Sequence, residues 1–429
     1  MILRDPVHGL VSFEGPEEAI IERLLDTPEV QRLRRVRQLG VTSLVFPGAE
    51  QTRFAHAIGA AYVMKLLLAR LRAIHGVLPE GQRVTTERAR EALAAALLHD
   101  LGHGPLSHLF EDAMPGAPPH ETWTERIVLD PSTGVNAVLA DAHPSLPARV
   151  VDLVHGRHEL PYLARAVSGE LDVDRCDYLL RDAHATGVRY GLYDLDFLLR
   201  SLRFAPSTSG EAPELAINGN KGLRAIEAFI SARLFMFQEV YLHKAARAAE
   251  WMIRTILGRA VRALREGMPL DVVPPAVASV ARGEPISLHD YLELDDGVLW
   301  GAMHAWEKAA DRPLADLARR IRARSLFKTI ELHGEQAVGE GAARALAVAR
   351  EVAASRGYDP DAYVGLDVAA DEPVAIAESS LRIAFARGPA RPLHEVSFLL
   401  GRLAGQVLSR VRLVLAPELR EPVTHALGL

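Results

Sequence analysis

The sequence predicts a mainly α fold, with a helical core over residues 1–266 and a smaller α+β region over 267–429. Three observations carry this. Apolar residues recur at helical spacing in several segments, as at Ala89, Ala92, Leu93, Ala96 and Leu97. The stretch 223–265 has no proline, is rich in Ala, Leu, Arg and Glu, and holds only Gly258 inside it. The segment 267–285 is rich in Pro and Gly, and the domain boundary is placed there.

In chain order, residues 1–15 read as a hairpin turning at Asp5-Pro6 or His8-Gly9. Helices are expected over 16–26 and 28–39, with Pro28 in the opening turn of the second. After Phe46-Pro47-Gly48 a helix begins near Arg53, with Phe54, Ala57, Ile58, Ala61 and Met64 on its apolar side. Thr86 and Glu87 read as an N-cap hydroxyl and first-turn acid of the next helix, and Gly102 as its end. Further helices are expected at 121–129 and 146–155, then a surface loop at Pro206–Pro213, a short strand, and a turn at Gly219-Asn220. One long helix is expected over 223–265. The C-terminal part reads as helical to about 322, with strands near 324–333, 373–386 and 410–415 and helices at 340–355 and 395–409.

A chain of 429 residues is too long for one small core, and its 49% apolar and 24% charged residues are ordinary for a soluble globular protein. A net charge of −6 argues against a nucleic-acid surface as its main business. The single cysteine, Cys176, excludes a disulfide framework and a cysteine-rich zinc site, and suits the cytoplasm. No signal peptide and no membrane-spanning apolar run is visible.

The chemistry concentrates in Leu97-Leu98-His99-Asp100-Leu101-Gly102-His103-Gly104-Pro105-Leu106-Ser107-His108. Asp100 continues the apolar series of the helix before it, so a carboxylate points toward the core, where it needs a partner. Four of the 17 histidines, His99, His103, His108 and His120, fall within 22 residues. His56, His99, Asp100 and Asp174 offer two imidazoles and two carboxylates from three segments. That donor set suits Mn, Fe, Co or Ni, or Mg with water completing its shell; zinc is less distinctive here. Each residue alone has an ordinary reading as a packed or solvated side chain; the combination points to a site. His103, His108 and His120 add groups able to move protons near neutral pH. Asp174, Tyr178 and Asp182 share one helical face, as do Arg233, Phe237 and Tyr241, and eight residues of helix span about 12 Å, the scale of a nucleotide. No phosphate-cradling glycine loop is present, so phosphate binding falls to side chains and metal.

These residues resemble the HD-domain phosphohydrolases, named for the His-Asp pair, and within them the deoxynucleoside triphosphate triphosphohydrolases. The resemblance runs in order through Asp5-Pro6-Val7-His8-Gly9, the segment 26–34, Gln38-Leu39-Gly40, Phe46-Pro47-Gly48-Ala49, Arg53-Phe54-Ala55-His56, the His99–His108 stretch, Asp172-Val173-Asp174-Arg175, Arg233 and Tyr241-Leu242-His243-Lys244. It implies an HD-domain helical core in which His56, His99, Asp100 and Asp174 are metal ligands. By the same resemblance His108 is the catalytic histidine, assisted by His120 and linked through Glu111. It also implies triphosphate contacts from Arg53, His103, Arg175, Tyr178, Asp182 and Arg233, with magnesium on the substrate phosphates, and sugar contacts from Gln38, Leu39 and Tyr241. Arg175 stands where the animal relative has lysine, and Phe237 where it has a polar residue. A second, activating nucleotide at a subunit interface of a homo-oligomer is implied for Asp26, Gln31, Arg34, His243, Lys244, Arg324 and Lys328. Two other readings fit the same residues: another HD phosphohydrolase acting on phosphomonoesters or cyclic nucleotides, and a non-catalytic nucleotide-binding module.

Overall fold

In this computed structural model, which describes residues 1–114, 116–206, 213–371 and 381–429, the helix marked by the Ala89–Leu97 stripe runs from Thr86 to Leu98. Its cap is Thr85, one residue earlier than expected: the Thr85 hydroxyl accepts from the Arg88 amide at 3.2 Å. That bond satisfies one of the first-turn amides that have no partner inside a helix. The helix stops at Leu98, so Asp100 and Gly102 lie in the turn beyond it. Gly102 is pressed against the His120–Leu129 helix; a Cβ there would lie 2.1 Å from the His120 carbonyl oxygen. The turn is therefore held by a close approach that only glycine permits.

The Arg53–Ile74 helix runs through the middle of the first core, buried on most sides, and packs against both Thr86–Leu98 and Val173–Thr186. Three separated segments of sequence thus meet around it. The expected hairpin forms from Ile2–Asp5 and Gly9–Ser12, with Leu3 opposite Val11. Asp5 Oδ1 accepts the amides of Val7 and His8, each at 2.9 Å, and so shapes the turn. Pro28 opens the next helix as expected, but that helix ends at Arg32 and tightens into a 3₁₀ turn over Leu33–Arg35. The backbone leaves it because the Arg37 amide is taken by the Asp296 carboxylate at 3.1 Å.

The uninterrupted helix expected over 223–265 is a correction. It divides into Leu223–Met236, a wide π turn over Phe237–Tyr241, and Lys244–Arg265. His243 is extended, and its ring nitrogen accepts from the Ala245 amide at 3.3 Å to cap the second helix. The wide turn delivers the Tyr241 hydroxyl to Asp182 at 2.9 Å, a tertiary bond that outweighs local helix propensity. The helix expected over 395–409 likewise becomes Leu393–Val396 and Phe398–Leu403, because the Ser397 hydroxyl caps a new start.

Leu408–Leu415 is the middle strand of an antiparallel sheet between Lys328–Leu332 and Val364–Asp371. The last of these carries no clear apolar alternation and was not expected. The strand expected at 373–386 and the loop at 206–213 lie partly outside the described residues. Within them, Arg382–Ala384 runs parallel to Glu214–Asn218, which pairs with Leu202–Ala205. A second core crosses residue 267: Ile253, Ile256 and Leu257 pack with Leu299, Leu314, Phe327 and Leu413, and the same cluster includes Phe110 and Trp123. No helix among the described residues is long and apolar enough to cross a membrane.

Ile253 is fully buried in this second core. Ile253→Ala is expected to destabilise the chain by about 2–5 kcal/mol, read as a lower denaturant midpoint. An unchanged midpoint would mean that this helix is not packed between the two regions.

Candidate functional site

His56 lies one turn into the Arg53–Ile74 helix, His99 and Asp100 follow Thr86–Leu98, and Asp174 is in the first turn of Val173–Thr186. Their ligand atoms converge. His56 Nε2 is 3.3 Å from His99 Nε2, 3.1 Å from Asp174 Oδ1 and 3.7 Å from Asp100 Oδ2. His99 Nε2 is 3.5 Å from both Asp174 Oδ1 and Asp100 Oδ1.

The far side of each ring says what these atoms need. His56 Nδ1 faces Asp177 Oδ2 at 2.8 Å, and His99 Nδ1 faces the Ala96 carbonyl at 2.9 Å. Both partners accept only, so each Nδ1 carries the proton and donates it, leaving the Nε2 lone pairs turned inward. The rings stand at 81° with their Nε2 atoms 3.3 Å apart, so those lone pairs meet. Two lone pairs facing two carboxylates repel unless a positive charge sits among them. In the bare chain a proton takes that place: burial opposes charge on His56, but hydrogen bonds to Asp174 and Asp177 raise its pKa to about 10. Burial likewise opposes the charge on Asp174, yet His56 and His99 hold its carboxyl below the usual range. This donor set fits a divalent cation, and nitrogen and oxygen donors without thiolate suit a first-row transition ion.

A second set of donor atoms, His103, His108, Glu111 and His120, also lies close together. Its geometry serves a different purpose. The His103 and His120 rings stack with centroids 3.7 Å apart and planes 17° from parallel. Imidazole nitrogens donate along the ring plane, so stacked rings cannot both aim at one ion. Glu111 Oε1 instead sits 3.2 Å from His120 Nδ1 and 3.7 Å from His103 Nδ1. His108, at the start of His108–Ala113, is the exposed member and lies 3.9 Å from Glu111. The set therefore gathers three imidazoles around one carboxylate, groups that titrate near neutral pH. Burial and the Arg53 charge push the His103 pKa well down. Its Nε2 bears the proton and faces Asp100 Oδ1 at 3.3 Å, which links the two clusters.

A cleft of about 620 Å³ is lined by Gln38, Leu39, Arg53, His108, Tyr178, Asp182 and Tyr241, among others; His108 brings the second cluster to its wall, and Arg53, bound to Asp100, stands between it and the first. Arg53 bonds Asp100 and reaches the Ser107 hydroxyl at 2.7 Å. Burial opposes charge on Asp100, but Arg53, His99 and His103 keep its carboxyl well below the usual range. Asp182 is the opposite case: burial lifts it to about 6, against hydrogen bonds from Gln51 and Tyr241. Arg175 turns back onto Asp172 rather than into the cleft. Arg233 lies near enough to act on the Tyr178 phenol.

The residues expected at a second nucleotide site fall into two groups. Lys244, Arg324 and Lys328 line a separate pocket of about 240 Å³ with Arg420, and His243 stands beside Lys244, its ring 5.5 Å from that of Phe46. Gln31 and Arg34 bond each other at 2.7 Å, near Asp26, and are not part of that pocket's lining.

The family model for the HD domain matches residues 53–182. Over 373 residues the chain is 34% identical to the uncharacterized protein YwfO of Bacillus subtilis, covering 87% of this chain and 80% of that one. The chain belongs to the HD-domain phosphohydrolase family. This HD-domain chain is also 28% identical to the deoxynucleoside triphosphate triphosphohydrolase SAMHD1 of Homo sapiens, over 59% of this chain and 43% of that protein, so it spans less than half of SAMHD1. A crystal structure of a phosphohydrolase from Bacteroides thetaiotaomicron superposes with a TM-score of 0.81 at 26% identity, covering 97% of this chain and 99% of that one.

The groups behind His56 are not among the residues that the sequence marks. Asp177 accepts from His56, from Arg181 Nε at 2.8 Å and Nη2 at 2.9 Å, and faces His8 Nε2 at 2.6 Å. Arg181 also reaches Asp5 at 2.8 Å. These charges are buried. The available signal was Asp177 itself, a carboxylate on the buried face of its helix beside Val173 and Cys176. The cradle is tight: a Cβ on Gly59 would fall 1.9 Å from Asp177 Oδ1.

Asp177→Asn leaves His56 without its carboxylate partner and is expected to weaken divalent-metal affinity by about 10–100-fold. Equilibrium dialysis with metal analysis checks this, and affinity equal to wild type would contradict it. Gly59→Ala is expected to lower metal content as well, by displacing Asp177 from His56.

Proposed function

We propose that this chain is a metal-dependent deoxynucleoside triphosphate triphosphohydrolase, cleaving its substrate to a deoxynucleoside and inorganic triphosphate. The observation that carries the reading is the joining of two clusters through Asp100 and His103, the cation-seeking His56, His99 and Asp174 with Asp100 beside them and the histidine set with Glu111, next to a nucleotide-sized cleft that His108 and Arg53 line. The kinship with SAMHD1 supports the substrate class.

His56, His99, Asp100 and Asp174 would hold the cation. Bound there, a divalent ion supplies Lewis acidity toward an α-phosphate oxygen and toward water. Arg53, already fixed by Asp100 and Ser107, presents positive charge to the phosphates. Magnesium accompanies the substrate phosphates. Water attacks the α-phosphorus in line, the bond from phosphorus to the 5′ oxygen breaks, and His108 gives that oxygen its proton. The proton released by the attacking water reprotonates His108 by way of Glu111 and His120, which also orient it. Gln38, Leu39 and Tyr241 meet the sugar, with Tyr241 steadied by Asp182. Arg175 must release Asp172 to reach a phosphate, and Arg233 approaches along the Tyr178 side.

The pocket of Lys244, Arg324, Lys328 and Arg420 gathers four cations and supports a second, activating nucleotide. Arg324 Nε also donates to the Leu44 carbonyl at 2.6 Å, in the segment that follows Gln38 and Leu39. A second copy of the chain would bring Asp26, Gln31 and Arg34 to complete this site, which makes the working form a homo-oligomer.

Product analysis tests the reading. Inorganic triphosphate and deoxynucleoside are expected from at least one deoxynucleotide, alone or in mixtures of the four. Orthophosphate from monoesters, with no triphosphate from any deoxynucleotide, would favour another phosphohydrolase activity instead. His108→Ala is expected to lower kcat by about 100-fold or more with bound metal unchanged.

A further inference from the structure

Asp296 lies outside residues 53–182, yet it is only 4% exposed and joins the two segments that face the cleft. Its Oδ1 accepts the Leu106 amide at 2.8 Å, and its Oδ2 accepts the Arg37 amide at 3.1 Å. Leu106 stands two residues before His108, and Arg37 one residue before Gln38. One carboxylate therefore sets the register between the segment carrying the proton donor and the segment meeting the sugar.

The backbone at that point is strained. Leu106 has φ +57, and Ser107 has φ +59 with ψ −132. L-residues avoid this region, and such conformations persist only where the surroundings over-determine them. The surroundings here are specific. The Ser107 hydroxyl lies 3.1 Å from the Gln38 carbonyl and 3.2 Å from that of Arg37. Gly40, at φ +51, lets the sugar segment press on Leu106, whose carbonyl would be 3.1 Å from a Cβ there. The same stretch of chain that ends in Asp296 also grips the start of the loop. The Tyr291 hydroxyl donates to the Gly102 carbonyl at 2.6 Å, and its ring stacks on Trp123 at 3.8 Å. Arg32 donates to both the Leu294 and His103 carbonyls.

We propose that Asp296 is a positioning residue: it holds Leu106 and Ser107 in their strained conformation and thereby sets where His108 stands relative to Gln38. What is positioned rests on the triphosphohydrolase reading; the strut itself does not.

Asp296→Asn in the full chain keeps the shape but replaces one acceptor oxygen with a donor. Three readouts separate the outcomes: metal per chain, triphosphate release, and amide hydrogen exchange over residues 102–109. Metal content is expected to stay unchanged, exchange at Leu106 to quicken, and kcat to fall at least about tenfold. Adding Leu106→Gly is expected to recover part of that loss, because glycine adopts φ +57 without strain. Turnover within about twofold of wild type, unchanged exchange at Leu106, or a loss matched by metal loss would overturn the proposal. If Asp296→Asn does not fold, Asp296→Glu keeps both acceptors one methylene out of place and is judged by the same readouts. If the wild-type chain releases no triphosphate, the functional reading fails, while amide exchange at Leu106 in Asp296→Asn still judges the strut.

Discussion

Two imidazole nitrogens 3.3 Å apart, turned inward as lone pairs because each ring's Nδ1 donates to the partner behind it, and two carboxylates around them cannot rest together without positive charge. Most of the surrounding architecture serves that arrangement. The Arg53–Ile74 helix is buried on nearly every side because it must place His56 against two other helices at once. The hairpin at the start of the chain is shaped by Asp5, and through Arg181 and His8 it closes a buried network on Asp177. Negative charge behind His56 raises the basicity of the ring in front.

Asp100 carries the same logic toward the cleft. It belongs to the cation-seeking group, it anchors Arg53, and it faces His103, whose ring stacks on His120. Charge placed at one end is therefore felt at the proton-handling end within a few ångströms. The low polarity of the surroundings strengthens each of these contacts and makes every unpaired atom costly. The chain beyond residue 267 takes part as well, because Tyr291 directly, and Leu294 through Arg32, hold the loop between the two groups from behind.

How much of this was legible in the sequence depended on distance along the chain. The residues of the cation-seeking cluster stood out because Asp100 occupies the next place in an apolar series and because histidines crowd the following residues. The helix starts near Arg53 and Thr86 were readable to within a residue, since they rest on local bonding. The break at Phe237–Tyr241 was not, because local propensity favours helix and only the distant Asp182 rewards the wide turn. Asp177 and His8 are 169 residues apart, and no spacing rule connects them. The split of the second-site residues into two places was also invisible until the fold separated them.

The direct measurement is anomalous diffraction at the manganese edge from crystals of the full chain grown with that metal. The account predicts a strong peak coordinated by His56 Nε2, His99 Nε2 and carboxylate oxygens of Asp100 and Asp174, and none between the stacked rings of His103 and His120. Absence of a peak among the first four groups, or a dominant peak at the stacked pair, would contradict it.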